Sequence, residues 1–368
     1  MAGVVVVLFV GCGTPRDEVG GVMIGETGVG VTGVGRLVPG DASLDDVARF
    51  LAGMPARGGS TLDGMRASGW WQEHRRRMDA LWDQYEARRG RAIAEWRGNV
   101  LGIVDGRHYV FYPFSGPDFV FANAFFPRAS HYLLVGLEPV GGAPVLGELT
   151  EADLRIGVEN LYDTIETNLQ HSYFITKDMR EDLVRSRLKG VVPVMLAFLA
   201  RTGHTLDGVS PASAGGDGYH FRVRSGGGRQ KHVYYFRQNL ADGALSGRFL
   251  EFSESFGHPV TFIKSASYLM HGGGFSTIRN HILDVSAAIV QTPSGVPFRY
   301  FEDGRWDIRL YGSYVRTLDM FEEYYQPDLA AAFMSGRYPV APIRFGMGYV
   351  FYEGESSFLV ATRKAIAF

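Results

Sequence analysis

Apolar residues recur at the spacing of amphipathic helices between residues 43 and 97. Ser43 is followed by Leu and two acidic residues, which is typical of a helix N-terminus, and a short helix is predicted as far as Leu51. A longer helix is predicted from about Leu62 to Trp96, with tryptophan and methionine along one side. The pattern therefore predicts a helical prelude over residues 43–97.

After Gly98 the pattern changes to short apolar runs separated by turns. Residues 108–114 form an aromatic and β-branched run typical of a buried strand, and residues 115–118 read Ser-Gly-Pro-Asp, a turn. Residues 119–126 fit a short helix, and residues 131–137 fit a second strand. This order predicts a βαβ unit with two parallel strands.

The same alternation continues toward the C-terminus. Further helices are predicted at about 151–171, 178–201, 275–283 and 318–335, strands at 219–224, 231–236, 261–270, 287–292 and 306–311, and a closing β-hairpin at 345–352 and 357–362. No linker-like run separates these elements, so a single domain is predicted over residues 43–368. The expected fold class is α/β: a mixed, mostly parallel sheet flanked by helices, with the helical prelude before it and a C-terminal β-hairpin.

Composition agrees with a globular protein that buries a large core. Of the 368 residues, 46% are hydrophobic and 13% aromatic, which excludes a mainly disordered chain. Lysine and arginine number 37 against 39 aspartates and glutamates, for a formal charge of −2. Because a chain without a positive excess lacks the field that holds a phosphate backbone, no nucleic-acid partner is expected.

The N-terminal segment carries the only cysteine of the sequence, Cys12. Residues 4–10 are apolar, and Gly11 directly precedes the cysteine. This arrangement resembles the lipobox of bacterial lipoproteins, in which a small residue precedes the cysteine that is lipidated. The resemblance implies that residues 1–12 are a lipoprotein-type signal segment and that residues 13–42 are a glycine-rich tether.

A lipidated Cys12 places the protein in the cell envelope, attached to the membrane through its lipid anchor. The alternative is a buried N-terminal strand with an ordinary core cysteine, and with it a cytoplasmic location. Glycine dominates the segment from Gly20 to Gly40, so such a strand leads into a chain with little for it to pack against. The lipoprotein interpretation is therefore favoured.

The turn at residues 112–118 is the first candidate ligand site. A turn between a buried strand and a helix exposes N–H groups at the carboxyl end of a sheet, where open α/β sheets bind ligands. This turn carries Ser115 and Gly116, and Glu138 follows 22 residues after Gly116, near the spacing of the ribose-binding acid in Rossmann-type sites. Asp118 either faces the site or caps the next helix, and Glu138 is either a ligand contact or a surface acid.

Together with the closing hairpin, these residues resemble the S-adenosylmethionine-dependent methyltransferase form of the Rossmann fold. The resemblance covers about thirty residues and the order of elements. It implies that Ser115, Gly116 and Glu138 contact a ligand at the carboxyl edge of the sheet. The cofactor itself stays unknown.

A second polar turn covers residues 264–280. His271 begins a His-Gly-Gly-Gly-Phe run that matches the oxyanion loop of lipases and esterases by letter, but no Gly-x-Ser-x-Gly follows it, so a flexible strand-to-helix turn is predicted. Ser276 and Thr277 at the start of the next helix, with Arg279 close behind, form a candidate anion site. The alternative is that Ser276 is a plain N-cap.

Turns that follow parallel strands of one sheet lie at the same edge, so residues 112–118 and 264–280 are predicted side by side as the main ligand cleft. Asp118, His271 and Arg279 are the candidate catalytic residues facing that cleft. No metal site is predicted, because the sequence has neither a cysteine pair nor a His-Glu-x-x-His motif.

Three functions stay open. The first is an envelope enzyme, a transferase or hydrolase. The second is a non-catalytic binding or scaffold lipoprotein that holds a small molecule or an envelope component in the same cleft, and the third is a cytoplasmic methyltransferase-like enzyme. Convergence of Asp118, Glu138, His271 and Arg279 would distinguish the first from the second, because ionisable groups that meet in one pocket perturb each other's pKa.

Overall fold

The computed structural model describes residues 42–104, 108–173, 187–350, 352 and 355–364. The predicted signal segment, Cys12 and the tether up to residue 41 lie outside these residues. Within them, no helix is long and apolar enough to cross a membrane.

The described helices and strands alternate much as the pattern predicts. The α-helices are α1 (Leu44–Leu51), α2 (Asp63–Arg66), α3 (Gly69–Tyr85), α4 (Arg91–Val100), α5 (Phe119–Phe125), α6 (Glu151–His171), α7 (Val191–Arg201), α8 (Gly247–Glu254), α9 (Ser276–Val285) and α10 (Pro327–Met334). The strands are β1 (Tyr109–Tyr112), β2 (His131–Gly136), β3 (Thr205–Ser213), β4 (Asp217–Arg224), β5 (Gln230–Arg237), β6 (Val260–Ile263), β7 (Ala288–Gln291), β8 (Trp306–Gly312), β9 (Val340–Ala341) and β10 (Ser357–Arg363). Short 3₁₀ turns lie at Leu101–Ile103, Leu146–Glu148, Leu269–His271, Gly273–Phe275, Phe298–Tyr300 and Asp319–Tyr324.

These ten strands form one sheet in the order β3-β4-β5-β2-β1-β6-β7-β10-β8-β9. The five central strands, from β5 to β7, are parallel to one another. The β3, β4 and β5 strands are joined antiparallel, and β10 lies antiparallel between β7 and β8. The predicted fold class, a mixed and mostly parallel sheet flanked by helices, is confirmed.

Helices cover both faces of the sheet because its central strands are apolar on both sides. In β1, Val110 and Tyr112 pack into one core with the helices from α1 to α7, whereas Tyr109 and Phe111 pack into a second core with α8, α9 and α10. Side chains that alternate along a strand point to opposite faces, so a continuous apolar run serves both cores.

The helical prelude begins as predicted and then departs from one continuous helix. Ser43 caps α1, since its side chain accepts a hydrogen bond from the Asp46 N–H at 3.2 Å. The long predicted helix is divided into α2, α3 and α4, and a π-helical turn at Glu86–Gly90 joins the last two. A Cβ atom at Gly90 would contact only the carboxylate of the Glu86 side chain, which would have to turn aside.

The C-terminus contains a single strand where a hairpin was predicted. Every residue from Ser357 to Ala361 is buried, because β10 has a neighbour on each side. Of the segment predicted as its hairpin partner, residues 345–350 contribute only the bridge between Met347 and Val350. An apolar final strand of this kind belongs inside the sheet rather than in a solvent-facing hairpin.

Two other predicted elements are shorter than expected. The strand expected at 261–270 ends at Ile263, and the helix expected at 318–335 is divided into a 3₁₀ turn and α10, which begins at Pro327. Proline fits the first turn of a helix but not its interior, which explains the second break.

Candidate functional site

The candidate site lies where the order of the sheet reverses. From β1 the chain passes to β2, then to the edge strand β3, and back through β4 to β5 beside β2, whereas the next strand, β6, lies on the other side of β1. Open α/β sheets bind ligands at such a switch point, outside the carboxyl ends of the strands. Because β1 and β6 are parallel neighbours, the turns that follow them meet there. The rings of Phe114 and Phe275, one from each turn, lie 5.9 Å apart, so the predicted adjacency of the two turns is confirmed.

A buried ion pair joins the two turns. Lys264 Nζ, just beyond β6, lies 2.6 Å from Asp118 Oδ2, just beyond β1, and both side chains are 1% exposed. The Tyr112 hydroxyl donates to the same carboxylate oxygen at 2.8 Å, and Asn168 Nδ2 donates to the other at 3.2 Å. The Asp118 side chain therefore serves as an acceptor for three buried donors and makes no capping hydrogen bond to α5.

The ammonium group of Lys264 also holds the end of α6. It donates to the carbonyl of Ser172, the residue that ends α6 in a left-handed conformation, and it lies 4.4 Å from the centre of the Phe121 ring. Arg89, in the π-helical turn, donates to the carbonyls of Leu169 and Gln170 at 2.8 and 2.9 Å. The prelude, α6 and the carboxyl edge of the sheet are thereby connected through polar groups.

Burial acts on both charges of the pair. It raises the pKa of Asp118, and the neighbouring ammonium of Lys264 opposes that rise. It lowers the pKa of Lys264, and the carboxylate of Asp118 opposes that fall. Each charge is therefore tolerated in the interior because of the other.

The β1 turn is closed against β2 by backbone hydrogen bonds. The N–H groups of Ser115 and Gly116 donate to the Val135 carbonyl at 2.8 and 3.2 Å, and the Ser115 hydroxyl accepts from the Val135 N–H at 3.0 Å. A Cβ atom at Gly136 would lie 2.9 Å from the Gly116 Cα atom, so glycine is needed for this close approach. These two N–H groups, which were predicted to face a ligand, therefore donate to β2 instead.

Glu138 lies at the end of β2 but is not a surface acid. It is 3% exposed, and its Oε2 accepts from the Tyr235 hydroxyl at 3.0 Å. Glu138 and Gly116 lie close together, because a Cβ atom at Gly136 would contact both, and their role as ligand contacts stays a prediction.

His271 and Arg279 lie together on the β6 turn, and neither is a hydrogen-bond or ion-pair partner of Asp118. The guanidinium of Arg279 donates to the carbonyls of Met270 and Gly272 at 2.9 and 3.2 Å, which fixes the turn itself. The His271 ring packs edge-on against Tyr268, with ring centroids 5.0 Å apart. Burial, with Arg299 and Arg279 nearby, lowers the pKa of His271 to about 4, so its ring is neutral at pH 7.

The predicted anion site at the start of α9 is occupied by a carboxylate of the chain itself. Asp242 accepts from the Thr277 N–H at 2.7 Å, from the Ser276 N–H at 3.0 Å and from the Ser276 hydroxyl at 2.7 Å. These hydrogen bonds lower the pKa of Asp242 to about 2. The N-terminus of α9 thus binds an anion, as its dipole favours, but the anion is a residue of the loop after β5.

Strained backbone is concentrated at the switch point. Among the described residues, five residues other than glycine have a positive φ. They are Phe114, Ser172, Ser265, Ser267 and Tyr268. Four lie on the two turns, and the fifth binds Lys264. Each such residue costs on the order of 1 kcal/mol, and strain of this kind clusters at functional sites. Ser265 is doubly unfavourable, because its buried hydroxyl also has no hydrogen-bond partner.

An aromatic wall adjoins these strained residues. The rings of Tyr268 and Tyr324 are stacked with centroids 5.4 Å apart, and Phe321 packs between Tyr268 and Tyr349 at 4.9 Å from each. The Tyr349 hydroxyl donates to the Ser265 carbonyl at 2.9 Å. Beside this wall, Gly272, Gly273 and Gly274 are exposed.

No family model, curated protein or solved structure matches the chain.

Removing one member of the buried ion pair is expected to destabilise the fold. Asp118→Asn leaves the Lys264 charge uncompensated and should lower the free energy of unfolding by about 3–5 kcal/mol, whereas the double variant Asp118→Asn/Lys264→Met should lose less than Asp118→Asn alone. Urea unfolding of the wild type, both single variants and the double variant measures this. An Asp118→Asn protein with unchanged stability would contradict the structural role assigned to the ion pair.

Relieving the strain at Ser265 is expected to stabilise the protein. Ser265→Gly removes a left-handed side chain and an unpaired buried hydroxyl, and should raise the free energy of unfolding by about 1 kcal/mol. Ser172→Gly is the matched control, because the Ser172 hydroxyl accepts from the Gly348 N–H at 2.8 Å and its removal offsets the gain. Thermal unfolding of both variants provides the comparison, and a destabilised Ser265→Gly protein would contradict the assignment of strain.

Proposed function

We propose that this protein is an exported, lipid-anchored envelope protein that binds a small ligand without chemistry at the switch point between β1 and β6. The export part of the proposal is supported by sequence: the apolar run at residues 4–10, the small residue Gly11 before Cys12, and the glycine-rich segment up to residue 42. The binding part is supported by the geometry of the carboxyl edge.

The observation that carries the binding proposal is that three of the four ionisable candidates are engaged in internal contacts, whereas His271 Nε2 is buried without a hydrogen-bond partner. Asp118 is bound by Lys264, Glu138 by Tyr235, and Arg279 by backbone carbonyls. A general acid or base needs a proton-transfer partner within reach of a substrate, and these groups are held by neighbours that fix the turns. Asp118 and His271 also share no polar contact that would couple their ionisation.

Ligand binding at this edge is favoured by strain that the fold does not need. Ser265, Ser267 and Tyr268 hold three left-handed conformations within four residues, directly after β6. A sequence under selection for stability alone would place glycine at such positions. Their side chains adjoin the aromatic wall, and aromatic faces bind apolar or sugar-like surfaces. The chemistry of the site therefore favours a small ligand with a flat or ring-shaped face.

A second candidate, a cytoplasmic methyltransferase-like enzyme, is favoured by one observation. The order of β5, β2, β1, β6 and β7 is that of a doubly wound nucleotide-binding sheet, and Glu138 follows β2 next to Gly116, as a ribose-binding acid would. Against it, the N–H groups of Ser115 and Gly116 donate to Val135 rather than toward a ligand. Binding without chemistry therefore remains the favoured proposal.

Changing Cys12 to Ser is expected to release the protein from the membrane. If Cys12 carries the lipid, the wild-type chain should fractionate with membranes and begin at a diacylglyceryl-modified Cys12, whereas Cys12→Ser should keep its signal segment and lose the modification. Cell fractionation with mass analysis of the N-terminus measures both. An unmodified Cys12 with unchanged fractionation would overturn export, and a modified Cys12 would exclude the cytoplasmic enzyme.

Purified protein is expected to retain a non-covalent ligand. Mass spectrometry of the folded wild type, isolated from its own cells, should show an added small-molecule mass that is lost on denaturation. Tyr324→Ala, which removes half-exposed aromatic area beside Tyr268, should lower the fraction of ligand-bound protein. Tyr338→Ala is the matched control, because that half-buried ring packs against Phe298. Covalent attachment to the chain, or conversion of the released molecule by fresh protein, would show that the site is catalytic.

A further inference from the structure

A cavity of about 290 Å³ lies in the groove between α3 and the first half of α6. It is called the α3–α6 cavity below, and it is separate from the turns at residues 112–118 and 264–280. Small-molecule sites begin at about this size. At about 30 Å³ for each water-sized group, the space suits a ligand of roughly ten non-hydrogen atoms. The lining residues are Gly69, Trp70, Glu73, His74 and Arg77 from α3, and Arg155, Val158 and Glu159 from α6.

Side-chain contacts hold the two helices side by side at both ends of the α3–α6 cavity. At one end, Trp70 Nε1 donates to Glu151 Oε1 at 2.9 Å. At the other end, the guanidinium carbon of Arg77 lies 3.8 Å from the centre of the Tyr162 ring, and Arg77 Nη2 lies 3.7 Å from Asp163 Oδ1. The cavity is the space between these two sets of contacts, so its walls are fixed by the packing of the helices.

The floor of the α3–α6 cavity is uncharged. Val158 is 1% exposed, and His74 is buried with its Nε2 2.9 Å from the Leu51 carbonyl oxygen. Burial lowers the pKa of His74 to about 4, so its ring is neutral at pH 7. The half-buried ring of Trp70 adds an aromatic surface beside this floor. Apolar and aromatic surfaces of this kind favour a ligand with an apolar group.

The rim of the α3–α6 cavity carries two basic and two acidic side chains. Glu73 and Arg77 on α3 each have an ion-pair partner outside the cavity lining. Arg155 and Glu159 on α6 are exposed, and neither has an ion-pair partner among the residues that the structure describes. An Arg four residues before a Glu is the weaker order for pairing on a helix, so the two charges stay available. Charges of both signs in equal number favour a ligand that itself carries both.

We propose that the α3–α6 cavity binds a free α-amino acid with an apolar side chain, of about the size of leucine. The guanidinium of Arg155 binds the carboxylate of the ligand, and the carboxylate of Glu159 binds its ammonium group. Because side chains four residues apart on a helix are neighbours, the two can reach adjacent groups of one small molecule. The apolar side chain of the ligand lies on Val158 beside Trp70. This site needs neither the ligand proposed at the switch point nor the lipid anchor.

Isothermal titration calorimetry of the full-length protein with L-leucine tests the proposal. The wild type should bind one L-leucine. N-acetyl-L-leucine, which lacks the ammonium group, and L-leucinamide, which lacks the carboxylate, should each bind at least about tenfold more weakly, because a charged group of the rim loses its partner. Arg155→Gln and Glu159→Gln remove one rim charge each, and each should weaken L-leucine binding by a similar factor.

Matched variants elsewhere complete the experiment. Arg248→Gln and Glu251→Gln make the same changes at exposed positions of α8, which packs into the second core, and should bind L-leucine as the wild type does. Tyr324→Ala, which tests the switch point, should also leave L-leucine binding unchanged, so the two sites are tested separately. Absence of L-leucine binding by the folded wild type, equal affinity for either analogue, or an equal loss in the α8 variants would overturn the proposal. Both analogues are measured on the wild type, so this test does not depend on the folding of any variant.

Discussion

The ion pair between Lys264 and Asp118 is the interaction on which the arrangement of the carboxyl edge depends. It connects the residue after β6 to the residue that opens α5, across the point where the sheet reverses direction. Through Ser172 and Asn168 the same pair fixes the C-terminal half of α6. A buried charge without its partner lowers the free energy of unfolding, so the positions of these segments depend on one another.

Around this pair, the fold closes most of the positions that an open α/β sheet offers to ligands. Asp242 occupies the N-terminus of α9, Val135 accepts the N–H groups of the β1 turn, and Arg279 binds the carbonyls of its own turn. What stays open is the strained segment after β6 and the aromatic wall beside it. The proposed ligand would be recognised by shape and aromatic contact, because the polar groups around the segment are already engaged by the chain itself.

The elements of the sheet could be predicted because a buried parallel strand has a simple signature. Residues 108–114 and 131–137 read as continuous apolar runs bounded by turns, and both correspond to central strands. The adjacency of the β1 and β6 turns also followed from topology alone, since parallel neighbours must end at the same edge. The prediction of a C-terminal hairpin was wrong, because the local sequence pattern does not determine which strands will pair with β10.

The chemistry of the site was harder to predict because it depends on partners distant in sequence. Asp118 and Lys264 are 146 residues apart, and Asp242 lies 35 residues before Thr277. The local sequence around Ser276 and Thr277 indicates free N–H groups at a helix N-terminus. Only the folded structure shows that a carboxylate of the chain accepts their hydrogen bonds. Lys264 did leave one signal, since it is the first charged residue after an apolar strand that leads into a glycine-rich turn. The left-handed conformations of Ser265 and Tyr268 have no signal in the sequence, because serine and tyrosine are not residue types that indicate a positive φ.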